Sequence, residues 1–318
     1  MKLSLKHIYI CSLIGLGAST LASCNDFLDR EPITNVTPEA YFTTVDQVGA
    51  YVINYYSYLQ NSRQQSLYHD KNWRSGMTLN DNNTDNLFSQ TGDLDYFAGE
   101  KQVPSGKNFQ TYTSRARVWN WLLEQILPKE EAGSIQGDKS ILSHYIGEAY
   151  FFRALAYYHA LDLYRNIPLV TENDPVGSYL PPRYTATQMF EYLETELKDV
   201  DADLLDRTEC EYGRACKQAA YALLARLYLN AEVYTGTAHW TDCITYCNEI
   251  LKAGYTLEGD YAKLFNADNH NRTNEIIYAF PVDATHTVSW GATTYIICGG
   301  VNNTSDTQVP ADYGVSSG

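Results

Sequence analysis

The stretch Gly147-Glu148-Ala149-Tyr150-Phe151-Phe152-Arg153-Ala154-Leu155-Ala156-Tyr157-Tyr158 constrains the fold more than any other part of the chain. Small residues alternate with large rings along it, the pattern of a helix whose neighbours approach closely while the rings fill the gaps. Ala160, Leu163 and Tyr164 continue the pattern, so the helix is expected to begin after Asp138 and to end near Arg165. A run of the same character, Ala219-Ala220-Tyr221-Ala222-Leu223-Leu224-Ala225-Arg226-Leu227-Tyr228-Leu229, predicts a second such helix. This usage explains why 27 of the aromatic residues are tyrosine, against 10 Phe and 5 Trp. A tyrosine has an apolar face and a polar tip, so it serves both cores and wet surfaces.

Caps and apolar spacing predict the remaining helices. Thr37-Pro38-Glu39 supplies a cap with proline at the first helical position, and Thr44 with Gln47 forms a capping box. The helix through about Tyr58 then carries Val48, Val52, Tyr55 and Leu59 on one stripe. A helix from about Tyr112 to Leu127 carries Trp119, Leu122, Leu123 and Ile126, and Pro128 is expected to stop it. Thr185 with Gln188 opens a further helix bearing Met189, Tyr192, Leu193, Leu197 and Val200. The last spans about Trp240 to Lys252, before Gly254, and Asn274 to Phe280 reads as a strand. The fold class is all-α, a helical solenoid with long irregular loops and minor β-hairpins. Ala149-Tyr150 and Ala220-Tyr221 lie about 71 residues apart, near two tetratricopeptide lengths of about 34 each.

Residues 1–23 carry Lys2 and Lys6, no acidic residue and an apolar run from Ile8 to Ala22, the shape of a secretory signal. They end in Leu21-Ala22-Ser23-Cys24, similar to a bacterial lipobox, which makes Cys24 the expected lipidated N-terminus. The formal charge of −15 excludes a nucleic-acid partner, because a phosphate backbone needs a basic face. Loss of the two signal lysines makes the chain more acidic still, so acyl chains would hold it at an anionic membrane. Cys210, Cys216, Cys243, Cys247 and Cys298 form an odd set without a CxxC pair, and no disulfide framework follows. His239, Cys243 and Cys247 share a helical face but lack a fourth ligand, so the cysteines are read as small buried hydrophobes and no metal is assigned.

Between the first two long helices, about Asn61 to Gln110 are rich in Asn, Asp, Gly, Ser and Thr yet contain Trp73, Tyr96 and Phe97. A second polar stretch holds Trp290 and Tyr295. Long loops that carry aromatics on a helical frame point to a binding surface.

Three groups of motifs together resemble the SusD/RagB family of outer-membrane lipoproteins: the Gly147 helix with its exit Asp162-Leu163-Tyr164-Arg165-Asn166-Ile167-Pro168-Leu169-Val170, Gly213-Arg214-Ala215 before the Ala219 helix, and Tyr261-Ala262-Lys263-Leu264-Phe265 leading into Asn274-Glu275-Ile276-Ile277-Tyr278. The resemblance runs from the lipobox to about Asp283. It implies a SusD-like, tetratricopeptide-containing domain over 37–318, after a 1–23 lipoprotein signal peptide and a 24–36 extended tether. It also implies lipid attachment at Cys24, surface exposure on the outer membrane, and partnership with a SusC-like TonB-dependent transporter for which the lipoprotein captures oligosaccharides or, in some cases, peptides. Members are typically much longer, so a C-terminal truncation is expected.

A neutral sugar offers little charge to grip, so rings stack on its C–H faces while polar side chains bond its hydroxyls. Trp73, Arg74, Asp81, Asn82, Tyr96, Trp290 and Tyr295 supply that chemistry, and the resemblance places the binding loops in these two regions. Asp81, Asn83 and Asp85 match the start of a calcium loop, but Asn86 and Gly92 stand where glycine and glutamate are needed. An EF-hand is rejected, and a looser structural calcium ion stays open with no other cofactor expected. Gly314 to Gly318 matches a nucleophile-elbow string without a following helix. Asp81 and Asp85 lie on one loop without an opposing wall, so no enzyme is expected. A tetratricopeptide-type protein adaptor is the alternative.

Overall fold

The computed structural model describes residues 38–60, 106–175, 177, 179–266 and 268–279. Two compact units divide the chain at Tyr41 and Phe42. In the first, the described part is a short helix α1 (Pro38–Tyr41). The second contains helices α2 (Val45–Gln60), α3 (Gly106–Glu131), α4 (Lys139–Tyr164), α5 (Ala186–Asp199), α6 (Lys217–Leu229), α7 (Ala231–Thr235) and α8 (Trp240–Lys252). The expected all-α solenoid is therefore the observed architecture. Strands β1 (Ile167–Pro168) and β2 (Arg183–Tyr184) form one small antiparallel pair, with Ile167 opposite Tyr184.

The capping residues act as their chemistry demands. The Thr44 hydroxyl accepts from Gln47 N–H at 3.3 Å while the Gln47 side-chain Oε1 accepts from Thr44 N–H at 3.2 Å. Thr185 and Gln188 make the same reciprocal pair at the start of α5. Asp138 receives Ser140 N–H at 2.8 Å and opens α4. The turn after α3 is tied to the start of α2, with Gln136 accepting from Val45 N–H and donating to the Thr43 carbonyl.

The α4 helix packs against α2, α3, α5 and α6, which is why it is buried around nearly its whole circumference. Its alternation of small and large residues is what such an axis needs. A Cβ added at Gly147 would meet the Asp203 Cβ at 2.9 Å and the Leu204 side chain at 3.1 Å. Gly147→Ala is therefore expected to destabilise, because overpacking costs about 1–3 kcal/mol and exceeds alanine's helix advantage of about 1 kcal/mol. A lower urea midpoint at unchanged slope checks this; a higher midpoint would show that the turn at Asp203 yields freely.

Two expectations fail. Pro128 does not stop α3, which runs on to Glu131. The proline forfeits only the bond its missing N–H would have made, and its carbonyl still accepts from Ala132 N–H at 3.1 Å. The stop is Gly133, whose φ of 63° lets Ser134 N–H turn back to the Lys129 carbonyl at 2.9 Å. The strand expected at Asn274–Phe280 is absent from the described part, residues 274–279. The Asn274 carbonyl accepts from Thr256 N–H and the Glu275 carboxylate accepts from Glu258 N–H, and no ladder follows. Ile276 and Ile277 line a cleft instead, and Tyr278 meets Phe151 and Phe152 edge-on or tilted.

Candidate functional site

The residues singled out for ligand binding, Trp73, Arg74, Asp81, Asn82, Tyr96, Trp290 and Tyr295, lie outside the described residues, as do Cys24 and Cys298. What the structure supplies is the pair of helices that flanks residues 61–105 in the chain, ending at Gln60 of α2 and beginning at Gly106 of α3. These helices face each other through rings. Tyr51 packs on Trp121 at 5.2 Å between centroids and on Tyr55 at 4.8 Å, and Tyr55 meets Trp119 at 5.2 Å. Trp119 stacks in turn on Phe152 of α4. Trp119 is buried, whereas Tyr51, Tyr55 and Trp121 keep part of their surface in solvent. Their hydroxyl and ring edges form an amphipathic wall on the α2–α3 pair, where Phe42 also packs on Tyr51 and Trp121.

Beneath this wall lies a buried charge cluster that joins three segments distant in sequence. The Glu148 carboxylate, fully buried on α4, accepts from Tyr56 Oη of α2 and from both Nε and a terminal nitrogen of Arg214. Tyr56 Oη itself accepts from Ala215 N–H at 2.8 Å. The Arg214 guanidinium also lies over the rings of Tyr56 and Tyr145, at 4.9 and 5.1 Å. Burial pushes the Glu148 carboxyl up to about 7, against the opposing pull of Arg214 and Tyr56. His144 is pushed down to about 4 by burial and by Arg214, so its ring is neutral. Since its Nδ1 accepts from Leu205 N–H at 3.2 Å, the ring proton sits on Nε2, 3.6 Å from Glu148. The Gly213-Arg214-Ala215 string thus works as a clamp on α2 and α4.

A second cluster is centred on Arg153, also buried on α4. Its Nε and a terminal nitrogen grip Glu196 of α5 bidentately at 2.9 and 2.8 Å, and its other nitrogen donates to Asn120 at 2.9 Å and to Glu172. Asn120 passes the connection to the Val170 carbonyl at 2.7 Å. Burial raises the Glu196 carboxyl, with Arg153 opposing. For Arg153, burial works against the charge, but Glu196 prevails and the guanidinium stays firmly protonated.

His239 stacks on Tyr228 and lies against Phe190, with its Nδ1 at 2.9 Å from Asp242. Cys210, Cys216, Cys243 and Cys247 are free, yet Cys216 is the buried one and Cys247 is exposed, contrary to a uniformly buried set. Among the described residues, no group of three or more His, Cys, Asp or Glu side chains is arranged to hold a metal ion. No described helix is long and apolar enough to cross a membrane.

Comparison with known proteins identifies the frame. The SusD-like family described as starch-binding and associating with the outer membrane matches residues 26–229. The chain belongs to this SusD-like family. It is 27% identical to the starch-binding protein SusD of Bacteroides thetaiotaomicron, over 93% of this chain and 54% of that protein. It is 25% identical to the SusD-like protein P25 of Formosa agariphila, over 81% of this chain and 48% of that one. Among solved structures, a SusD-like carbohydrate-binding protein from Bacteroides fragilis superposes with a TM-score of 0.64 at 19% identity, covering 79% of this chain and 49% of the other. A laminarin-binding SusD-like protein superposes at 0.58 with 18% identity, covering 74% and 51%. The chain spans about half the length of the relatives it matches.

Proposed function

We propose that this chain acts as a non-catalytic, surface-exposed lipoprotein of the outer membrane that binds oligosaccharides and passes them to a SusC-like TonB-dependent transporter. The observation that carries the reading is the family match over residues 26–229, supported by relatives described as starch-binding and laminarin-binding. Residues 1–23 serve as the export signal, Cys24 carries the lipid, 24–36 form the tether, and the domain begins at 37. Trp73 and Trp290, with Tyr96 and Tyr295, stack on sugar faces, while Arg74, Asp81 and Asn82 bond hydroxyls. No cofactor takes part, and a calcium ion near Asp81 would have at most a structural role. Each stack or exposed hydrogen bond contributes about 1 kcal/mol, so single-site affinity is modest. Tethering at Cys24 offsets this by raising the effective concentration beside the transporter.

Isothermal titration of the chain from residue 24 onward against α-glucan and β-glucan oligosaccharides tests this. Saturable binding is expected, with Trp73→Ala and Trp290→Ala each weakening it about tenfold, the equivalent of about 1.4 kcal/mol. A folded protein that binds no glycan in the panel, or binding indifferent to both substitutions, would reject the reading. Binding of peptides alone would favour the peptide-capturing alternative.

A further inference from the structure

A cleft of about 330 Å³ opens beside the Arg153 cluster, lined by Tyr150 and Arg153 of α4, by Tyr192, Glu196 and Asp199 of α5, and by Asp203. This volume suits a single small ligand or one unit of a larger one. Its lining is more apolar than polar and includes two tyrosine rings, with one guanidinium against three carboxylates.

The guanidinium is already spent. Arg153 is held by Glu196, Glu172 and Asn120 and stacks at 4.9 Å over the Tyr150 ring, so it has no remaining charge to offer a ligand. Asp199 is exposed and makes no ion pair among the described residues. Asp203 accepts from the Ser143 hydroxyl and has no cationic partner among them either. The cleft therefore presents, among its lining, two carboxylates without a cationic partner among the described residues, together with two tyrosine rings. The Tyr192 hydroxyl adds a buried polar atom that lies beside Glu196 without closing a well-formed hydrogen bond. An anionic or purely apolar ligand would be repelled or leave the carboxylates unanswered. A neutral sugar would satisfy the rings but not the charge. A cation carried on a compact ring satisfies both, through carboxylate hydrogen bonds and ring contact.

We infer that this α4–α5 cleft is a binding site for a protonated amino sugar, with its ammonium group set against Asp199 and Asp203 and its ring against Tyr150 and Tyr192. The cleft is lined by residues other than those proposed to stack on glycan, and it rests on the proposed glycan-binding role only for the choice of a sugar as the carrier of the amine.

The test is a titration of the chain from residue 24 onward with glucosamine, glucose and lysine amide, followed by the chemical shifts of the tyrosine ring protons and by calorimetry. The protein carries Trp73→Ala and Trp290→Ala, so that any binding on the loops is suppressed. Glucosamine is expected to saturate while glucose does not, added salt is expected to weaken binding, and Asp199→Asn to weaken it about fivefold. Asp199 is exposed and unpaired, so this variant should keep the parent's unfolding midpoint. No glucosamine binding, binding insensitive to Asp199→Asn, or equal binding of lysine amide would each overturn the inference. Loss of neutral-glycan binding alone would bear only on the loop site.

Discussion

Glu148→Ala is expected to lower the stability of the fold by about 3–5 kcal/mol, the usual cost of breaking a buried ion pair by removing one partner. Few domains have more than about 5–15 kcal/mol in total, so the variant should show a much lower urea midpoint or fail to accumulate folded. The size follows from what is stranded. Arg214 would keep its charge in a nearly closed site, and Tyr56 Oη would lose its acceptor while still receiving Ala215 N–H. Glu148→Gln keeps the shape and an acceptor oxygen, so a smaller loss of about 1–3 kcal/mol is expected. Tyr56→Phe removes a donor to Glu148 and the Tyr56 Oη acceptor of Ala215 N–H, again at about 1–3 kcal/mol. Because all three groups belong to one network, Glu148→Ala combined with Tyr56→Phe should cost less than the sum of the two alone. Additive losses, or a cost below about 1 kcal/mol for Glu148→Ala, would show that the clamp does not act as a unit.

The helices that frame this cluster were legible because their signals are local. Asp138, Thr44 with Gln47, and Thr185 with Gln188 satisfy the first N–H groups of the helices they precede, and no tertiary contact is needed to read them. Val48, Val52, Met189, Leu193 and Leu197 are all buried, as their spacing required. The strand at Asn274 failed for the opposite reason. Its apolar run is a weak local preference, and Ile276, Ile277 and Tyr278 are instead used by a cleft and by the rings of α4. Arg153 and Glu148 are themselves a signal, a base and an acid inside a stretch, 146–161, otherwise built of apolar residues, glycine and rings. Their partners could not have been named, since Arg214 and Glu196 lie 66 and 43 residues away along the chain. The cleft depends on the same long-range pairing, because only the capture of Arg153 by Glu196 leaves Asp199 and Asp203 uncompensated. The loop residues proposed to bind glycan were legible as chemistry, rings beside polar arrays, while their geometry belongs to residues outside those described.

Arg153→Met is expected to be as damaging as the loss of Glu148, at about 3–5 kcal/mol. This one side chain links Asn120 of α3, Glu196 of α5 and Glu172 of the segment after β1 to the central helix. Methionine can fill much of the space, so the cost would come from Glu196, a buried carboxylate left without its counter-charge, and from Asn120, which loses a donor. Arg153→Lys should recover only part of the loss, because an ammonium cannot make the bidentate grip on Glu196 while also reaching Asn120 and Glu172. The decisive comparison is the double variant Arg153→Met with Glu196→Leu. If the stranded charge is the cause, removing it should restore at least half of the stability lost in Arg153→Met, as replacement of a buried ion pair by apolar residues is often neutral. If the double variant is no better, the damage arises from the lost connections to α3 and Glu172, and the cluster holds the helices in register more than it balances charge. Urea midpoints with unchanged slopes across the four proteins separate these outcomes. The same series tests the cleft, because Arg153→Met with Glu196→Leu removes a neutralised pair and leaves Asp199 and Asp203 in place. A site that depends on those two carboxylates should then keep its preference for a cation.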